Sequence, residues 1–339
     1  MTDIGREQRR AVKLLLGLLL LGSLLLMLGA SVGSTGFESV LHAFIDPVAM
    51  QIVWDIRLPR TLGAWAAGAL LGLAGAVAQG LFRNPLADPY LLGSASGASL
   101  GVALALVLFG VSPLTTHWLV RLGLTGAAFA GAVLAVFLTL LLAKGVQHTL
   151  RLLLAGVIVG VVLGACSSLV MLMAPDVMQA MQAFMLGSTG FVGWTSWLLM
   201  VAVWALCMAV AWLLSHVLDG LSLGEATAIS LGLPLAHMRV ALVAVLALAT
   251  GTAVAQTGLI AFVGLAAPHL VRSVAKTTHR RLLGLSSLMG WVLLMGADVL
   301  ARGLMAPQEL PVGVLTAVLG GGYLLWLMHR NTRSSGGSL

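Results

Sequence analysis

Apolar stretches without a charged residue recur along the whole chain. A helix needs about 20 apolar residues to cross a bilayer, and all its backbone polar groups must be satisfied internally, so each stretch predicts one or more spanning helices. Pro113, the glycine-rich segment 187–193 and Gly258 divide the three longest stretches. The pattern therefore predicts about ten spans, centred on residues 14–31, 61–82, 91–110, 120–143, 151–173, 193–215, 239–257, 260–276, 282–300 and 312–329.

The composition is that of a membrane protein. Hydrophobic residues make up 60% and charged residues only 9% of the 339 residues, and mean hydropathy is +1.06, whereas roughly a quarter of a soluble chain is charged. No long stretch is polar enough for an aqueous catalytic domain, so we predict a single all-α polytopic domain over residues 1–339. Cys166 and Cys207 lie in apolar segments and form no metal or redox motif. Glycines spaced by four, such as Gly68 and Gly72, predict close helix packing.

The cations give an orientation. With ten spans and a cytoplasmic N-terminus, only Arg57, Arg60, Arg121 and Arg302 of the 18 Lys and Arg residues fall outside. The inner positions are Arg6, Arg9, Arg10, Lys13, Arg83, Lys144, Arg151, Arg239, Arg272, Lys276, Arg280, Arg281, Arg330 and Arg333. This bias obeys the positive-inside rule and places residues 1–13 and 330–339 in the cytoplasm.

Two alternatives to this topology are weaker. The pI of about 10.4 could suggest nucleic-acid binding, but the positive-inside bias explains the cations, so we expect no nucleic-acid partner. The basic start before a Leu-rich run could be a cleaved signal peptide, but nine further spans favour an uncleaved first helix in contact with the lipid bilayer.

The polar residues form no known catalytic set. The sequence contains no His-Glu-x-x-His, paired-cysteine or Gly-x-Ser-x-Gly motif. It also lacks a Gly-Lys dipeptide and hence a P-loop. We therefore expect no enzyme activity, metal site or cofactor in this chain. Ion-coupled carriers place ionisable groups in mid-membrane, but here the charges lie at predicted span ends. The chain is therefore either a passive pore or driven by another subunit.

The cytoplasmic stretch 219–239 has the pattern of two short helices. Ser222 followed by Glu225 matches a capping box and predicts a helix start. Gly232 suits the residue after the helix end, and Pro234 suits the first turn of a second short helix. This segment is either an interfacial connector or a docking surface for a cytoplasmic protein.

Five motifs in order along the chain resemble the permease subunits of the iron-siderophore, haem and vitamin B12 class of ABC importers. The motifs are Arg57-Leu-Pro-Arg60, Gln79 with Arg83-Asn-Pro-Leu-Ala-Asp-Pro89, Ser222-Leu-Gly-Glu-Ala226, Phe262-Val-Gly-Leu-Ala-Ala-Pro-His269 and Glu309-Leu-Pro-Val-Gly-Val-Leu-Thr316. Together they extend from the second predicted span to the last. The resemblance therefore covers nearly the whole chain.

The resemblance implies a homodimer in the bacterial inner membrane, with two cytoplasmic ATPase subunits below and a periplasmic binding protein above. ATP and Mg would then act on the ATPase. Arg57, Arg60 and Arg302 would dock the acidic lobes of the binding protein, although lipid-headgroup anchoring is an alternative for them. The coupling helices would include Ser222, Leu223, Gly224, Glu225, Ala226, Gly232 and Pro234.

The translocation path rests on two segments. Asn84, Pro85 and Leu86 form a rigid turn by their chemistry, which the resemblance places at an inner gate. The fifth span and a short periplasmic helix after it carry Met171, Met173, Met178, Met181 and Met185. A methionine wall suits a flat apolar ligand, although Met is also a common gap-filler in packing.

We expect the cargo to be haem or a similar iron chelate, as in a bacterial haem importer permease. A ferric siderophore or cobalamin is the alternative, and a self-sufficient channel or secondary carrier is the alternative from another class. The capped helix pair favours the importer, because a self-contained carrier would not need it.

Overall fold

The computed structural model of the protein describes residues 3–33, 36–37, 46–109, 118–143 and 149–335. Within these ranges the chain is almost entirely helical, which confirms the predicted all-α class. The helices are α1 (Asp3–Ser31), α2 (Pro47–Ile52), α3 (Leu58–Phe82), α4 (Ser94–Phe109), α5 (Trp118–Leu142), α6 (Thr149–Met173), α7 (Met178–Leu186), α8 (Trp194–Leu213), α9 (Ser215–Ser222), α10 (Glu225–Ser230), α11 (Leu235–Thr257), α12 (Val263–Val274), α13 (His279–Gly303) and α14 (Val312–Ser335). A two-residue antiparallel pairing joins β1 (Val32–Gly33) to β2 (Gly36–Phe37).

The number of full-length spans differs from the predicted ten. Among the described residues, seven helical segments are long and apolar enough to cross a membrane, and Ser94–Phe109 and Val312–Trp326 are shorter apolar helices. The predicted span 260–276 contains only the 12-residue helix α12, with Pro268 inside it. The segments are found where the apolar pattern predicts them, but their lengths do not establish ten complete crossings.

Helix α3 starts earlier than the sequence predicts. Helix α2 and a π-helical turn over Val53–Arg57 lead into it without a break, giving a helical segment of 36 residues. The prediction placed the start at Thr61 because Arg57 and Arg60 interrupt the apolar run. That boundary is wrong because the fold buries both arginines, which are only 5% and 8% exposed.

Helix α3 is the centre of the bundle. Almost every one of its residues is buried, and α13, α12, α11 and α8 pack around it. A second group forms where α4 packs against α5 and α6, and α11 connects the two groups by contacting α3, α4 and α5. The lipid-facing sides of α1, α6 and α8 keep many large apolar side chains exposed, as expected where the solvent is lipid.

Glycines bring the backbones of the central helices into contact. A Cβ atom at Gly68 would lie 2.3 Å from the Gly290 carbonyl oxygen, and one at Gly75 would lie 1.7 Å from the Gly264 carbonyl oxygen. Because only a hydrogen atom fits at these points, α3 approaches α13 and α12 more closely than larger residues allow. The predicted role of the glycine ladders in helix packing is confirmed at Gly68.

Two helix breaks meet inside the bundle. Gly187 ends α7 and Gly258 ends α11, each at a φ of 69° that favours glycine. Ser188 donates its backbone N–H to the Thr257 carbonyl at 2.8 Å, so the two connectors are hydrogen-bonded to each other. The predicted divisions at 187–193 and Gly258 are confirmed, whereas the one at Pro113 lies outside the described residues.

We expect Gly75→Ala to destabilise the protein, because the new methyl group would collide with the Gly264 backbone. Overpacking of this kind costs about 1–3 kcal/mol, and here no flexible side chain can move aside. Thermal unfolding of the detergent-solubilised protein measures the effect. Gly17→Ala on α1 is the control, because nothing lies within 4 Å of its Cβ position. Equal stability of the two variants would contradict the close helix contact.

Candidate functional site

A buried cluster of charged side chains lies at the predicted outer end of α3 and α13. Arg60 donates from Nε to Asp298 Oδ1 at 3.2 Å, and Arg302 donates from Nη2 to Asp298 Oδ2 at 2.7 Å. Thr189, which follows α7, donates its hydroxyl to Asp298 as well. Arg60 Nη1 also reaches both carboxylate oxygens of Glu309, at 3.0 and 2.8 Å. A carboxylate as deeply buried as Asp298 is tolerated only because these donors compensate for its lost hydration.

The end of α1 closes the cluster from another side. Arg302 Nη1 donates to the carbonyl oxygens of Gly29 and Val32 at 2.9 and 3.0 Å. Arg57 Nη1 donates to the Ser31 carbonyl oxygen at 3.3 Å. The two arginines therefore satisfy carbonyl groups at the C-terminal end of α1 and immediately after it, where a helix leaves its carbonyls without intrahelical partners.

The three arginines predicted to dock a binding protein are thus close together and have partners within the chain. Their guanidinium groups point into the protein, and Arg302 is only 1% exposed. Docking through Arg57, Arg60 and Arg302 stays a prediction. The fourth predicted outer cation, Arg121, lies in the first turn of α5, and its side chain is outside the described part of the chain.

The predicted capping box in the coupling segment is wrong. Ser222 is the last residue of α9, and its hydroxyl donates to the Asp219 carbonyl oxygen at 2.6 Å instead of capping α10. Gly224 follows with a φ of 112°, and α10 begins at Glu225. The Ser222 hydroxyl is hydrogen-bonded within α9, whereas the pattern predicted that it would cap the start of α10.

The second short helix is also misplaced by the sequence. Gly232 follows α10 with a φ of 78°, which confirms it as the residue after the helix end. Pro234, however, directly precedes the long helix α11. The two short helices of this segment are therefore α9 and α10, and the residues after Pro234 continue into a span.

An ion pair ties one short helix to a long one, and hydrogen bonds tie the other. Glu225 at the start of α10 pairs with the buried Arg239 of α11 at 2.8 Å. Asp219 of α9 accepts hydrogen bonds from the backbone and the ring of His279, at the start of α13, at 3.0 and 2.8 Å. A force on α9 or α10 therefore reaches α11 and α13 through direct contacts.

This segment exposes several apolar side chains on the predicted cytoplasmic side. Its exposed residues include the apolar Leu223, Ala226, Ile229 and Leu231 and the polar Ser222, Thr227 and Ser230. Contiguous exposed apolar patches mark protein interaction sites, so the apolar members are candidates for one.

The predicted gate segment forms a turn, as its chemistry indicates. Asn84 Oδ1 accepts from the backbone N–H of Leu86 at 3.0 Å, and Asp88 Oδ1 accepts from that of Tyr90 at 2.8 Å. Burial raises the pKa of the Asp88 carboxyl, and the hydrogen bond from Tyr90 opposes the shift. Asn84, Pro85 and Leu86 are exposed at the end of α3. Their role as a gate stays a prediction.

The five predicted path methionines do not share one surface. Met181 is fully buried and packs in a cluster contributed by α4, α5 and α11. Met173 is 79% exposed, Met178 and Met185 are also exposed, and Met171 is partly buried. The short helix predicted after the fifth span is α7, which begins at Met178. The path assignment stays a prediction, with Met181 placed in the packing of a single chain.

Three members of the outer cluster, Asp298, Glu309 and Thr189, were not among the residues predicted for a site. Asp298 and Arg302 are spaced i, i+4, which places them on one face of α13, and this spacing was a usable signal. Glu309 is the first residue of the last of the five motifs, but nothing in the sequence pairs it with Arg60. Among the described residues, no group of His, Cys, Asp or Glu could hold a metal ion.

An apolar helical bundle with several helices long enough to cross a bilayer defines a polytopic membrane protein. The chain belongs to the FecCD transport family, whose model matches residues 15–330. It is an ABC importer permease and a multi-pass protein of the bacterial cytoplasmic membrane.

Several relatives match most of the chain. The vitamin B12 import system permease proteins BtuC of Salmonella paratyphi A and Shigella boydii serotype 18 are each 39% identical over 98% of this chain and 100% of their own length. A metal-chelate type ABC transporter in an inward-facing conformation matches with a TM-score of 0.83 and 30% identity, over 94% of this chain and 99% of its own. PsaBC from Streptococcus pneumoniae shares the fold, with a TM-score of 0.60 and 17% identity over 84% of this chain and 94% of its own.

We expect Asp298→Ala to destabilise the protein strongly, because it leaves Arg60 and Arg302 buried without their shared carboxylate. Removing one partner of a buried ion pair costs about 3–5 kcal/mol. Glu309→Ala should cost much less, since the Glu309 side chain is 33% exposed. Thermal unfolding of both variants tests this order, and an Asp298→Ala protein as stable as Glu309→Ala would refute the central role of Asp298.

Proposed function

We propose that this chain is the membrane-spanning subunit of an ATP-driven importer that carries a corrinoid of the vitamin B12 type into the cytoplasm. The observation that carries the proposal is the 39% identity to vitamin B12 import permeases over 98% of the chain. The alignment covers 98% of this chain and 100% of the relative. No long segment of those permeases therefore lacks a counterpart here.

This proposal replaces haem, the cargo favoured by the sequence analysis, with its cobalamin alternative. The argument for haem rested on a methionine wall, and Met181 packs in the core of a single chain instead. Haem and ferric siderophores remain the competing substrates in the experiment below.

The energy source is a separate ATPase in this proposal. The sequence has no P-loop, and the apolar surface of Leu223, Ile229 and Leu231 offers a docking surface on the predicted cytoplasmic side. Two ATPase subunits would bind there, one on each copy of a permease homodimer, and the cargo would pass along the two-fold axis. Arg57, Arg60 and Arg302 would mark the face that docks a periplasmic binding protein.

We expect liposomes that contain this chain, its ATPase and its binding protein to accumulate vitamin B12 when ATP is supplied, and to accumulate haem and ferric siderophore far more slowly. Radiolabelled uptake measured in parallel for the three cargoes tests the substrate class. Preferred uptake of haem would overturn the corrinoid assignment. ATP-independent uptake by the chain alone would overturn the importer assignment and favour a channel or carrier.

We expect Glu225→Ala to reduce transport at least tenfold while the permease still assembles in the membrane. The change removes the ion pair with Arg239 that fixes α10 to α11, so ATP hydrolysis would no longer move the spans efficiently. Gly224→Ala should act in the same direction, because a φ of 112° strains any other residue. Uptake and ATPase rates of the reconstituted complex are the measurements.

Ser230→Ala is a matched control for these two variants. Ser230 lies on the same short helix, and its hydroxyl makes a local hydrogen bond to the Thr227 carbonyl oxygen. Wild-type uptake by Glu225→Ala and Gly224→Ala would remove the coupling role from this segment.

A further inference from the structure

Arg60 has two acidic partners that differ in their access to solvent. Its Nε donates to Asp298, whose side chain is completely buried, at 3.2 Å. Its Nη1 lies 2.8 and 3.0 Å from the two oxygens of Glu309, whose side chain is 33% exposed. Asp298 therefore fixes the inner side of the guanidinium group, and Glu309 covers the side nearer to solvent.

Arg302 is held in a different way. Its guanidinium contacts Asp298 at 2.7 Å, Thr61 Oγ1 at 3.1 Å and two backbone carbonyls at the end of α1. It is 1% exposed, so an incoming protein could reach it only by opening the cluster. Among the contacts described for Arg60 and Arg302, the Arg60–Glu309 pair is therefore the one that solvent reaches.

The position of Glu309 allows its side chain to leave Arg60 without unfolding its surroundings. It lies on the connector between α13 and α14, and the next residue, Leu310, donates its backbone N–H to the Ala301 carbonyl at 3.0 Å. The backbone is thus fixed beside α13 while the carboxylate is at the surface. A change of side-chain rotamer at Glu309 would break its contact with Arg60 and leave this backbone hydrogen bond intact.

The charges of the cluster also cancel. Arg60 and Arg302 carry two positive charges, and Asp298 and Glu309 carry two negative ones. While Glu309 is in place, these four groups add no net charge to that of the neighbouring Arg57, so their own long-range attraction for an acidic partner is weak. Displacing Glu309 uncovers the positive charge of the Arg60 guanidinium. The parallel N–H donors of a guanidinium bind carboxylates well.

We propose that Glu309 occupies the carboxylate site of Arg60 and is exchanged for a carboxylate of the docking protein, so that Glu309 sets the affinity of this site. The inference rests on the proposed docking of an acidic binding protein to this face. It assigns the exchange to Arg60 and leaves Arg302 as the support that holds Asp298 in place.

Binding of a purified periplasmic vitamin B12-binding protein to the permease in nanodiscs tests the exchange. Glu309→Gln should tighten binding about three- to tenfold, because the amide holds Arg60 less strongly. Glu309→Asp should also tighten it, because the shorter side chain cannot reach Arg60. Since Glu309→Asp keeps the charge, a gain in both variants cannot come from a changed net charge.

Asp55→Asn is the matched control for charge, because Asp55 is an exposed acid on the turn before α3. It removes the same charge on the same side and should change affinity by less than twofold. Arg60→Gln should weaken binding at least tenfold, and Glu309→Gln should give no gain in the Arg60→Gln background. This double-mutant cycle isolates the effect of the Arg60–Glu309 interaction from the effects of each substitution on other residues.

A second measurement needs no partner protein. Phenylglyoxal labels accessible arginines, and Arg60 should become several-fold more reactive in both Glu309 variants while Arg302 stays protected. Unchanged Arg60 labelling, or Glu309 variants that bind no better than Asp55→Asn, would overturn the exchange. Undiminished binding by Arg60→Gln, or no binding by the wild-type protein, would instead overturn the proposed docking and leave the labelling result to decide the Arg60–Glu309 pair.

Discussion

The close contact of α3 with α13 and α12 is the constraint on which the rest of the structure depends. Lipid offers no hydrophobic drive for helix association, so these helices are held by van der Waals contact between backbones that glycine brings together. Gly68 and Gly75 meet backbone carbonyls of α13 and α12 where no Cβ atom fits. Because Arg60 stands near one end of α3 and the exposed turn at Asn84 follows the other, the position of α3 fixes both regions.

Helix α13 connects the outer cluster to the inner helix pair. It carries Asp298 and Arg302 near one end, and His279 at the other end is bonded to Asp219 of α9. Its 25 residues extend over about 38 Å at the usual helical rise. In the proposed importer, a helix of this length with polar contacts at both ends would carry a tilt from one face to the other.

The apolar pattern was sufficient to predict the helical class and the places of the spans, because membrane burial is a local property of composition. It was insufficient at the start of α3, since the burial of Arg57 and Arg60 depends on Ser31 and Asp298, which are distant in sequence. The capping box at Ser222 failed for a local reason. Ser222 still belongs to α9, where its hydroxyl donates to the Asp219 carbonyl, and Gly224 is the residue that precedes α10. The pairs of Arg60 with Asp298 and Glu309 were not predictable, because they join residues far apart in the chain.

The volume of a cavity inside one chain limits the size of the cargo that the cavity can hold. An apolar cavity between α12, α13 and α14, lined by Phe262, Leu270, Leu293, Leu319 and Tyr323 among others, has a volume of about 220 Å³. Pockets for drug-sized ligands are larger, about 300–1,000 Å³, and a corrinoid is bigger than most drugs. This cavity is too small for such a cargo, so it would not be the route of a corrinoid in the proposed importer. A path on the two-fold axis of a dimer, enclosed by a second copy of the chain, does not have to pass through it.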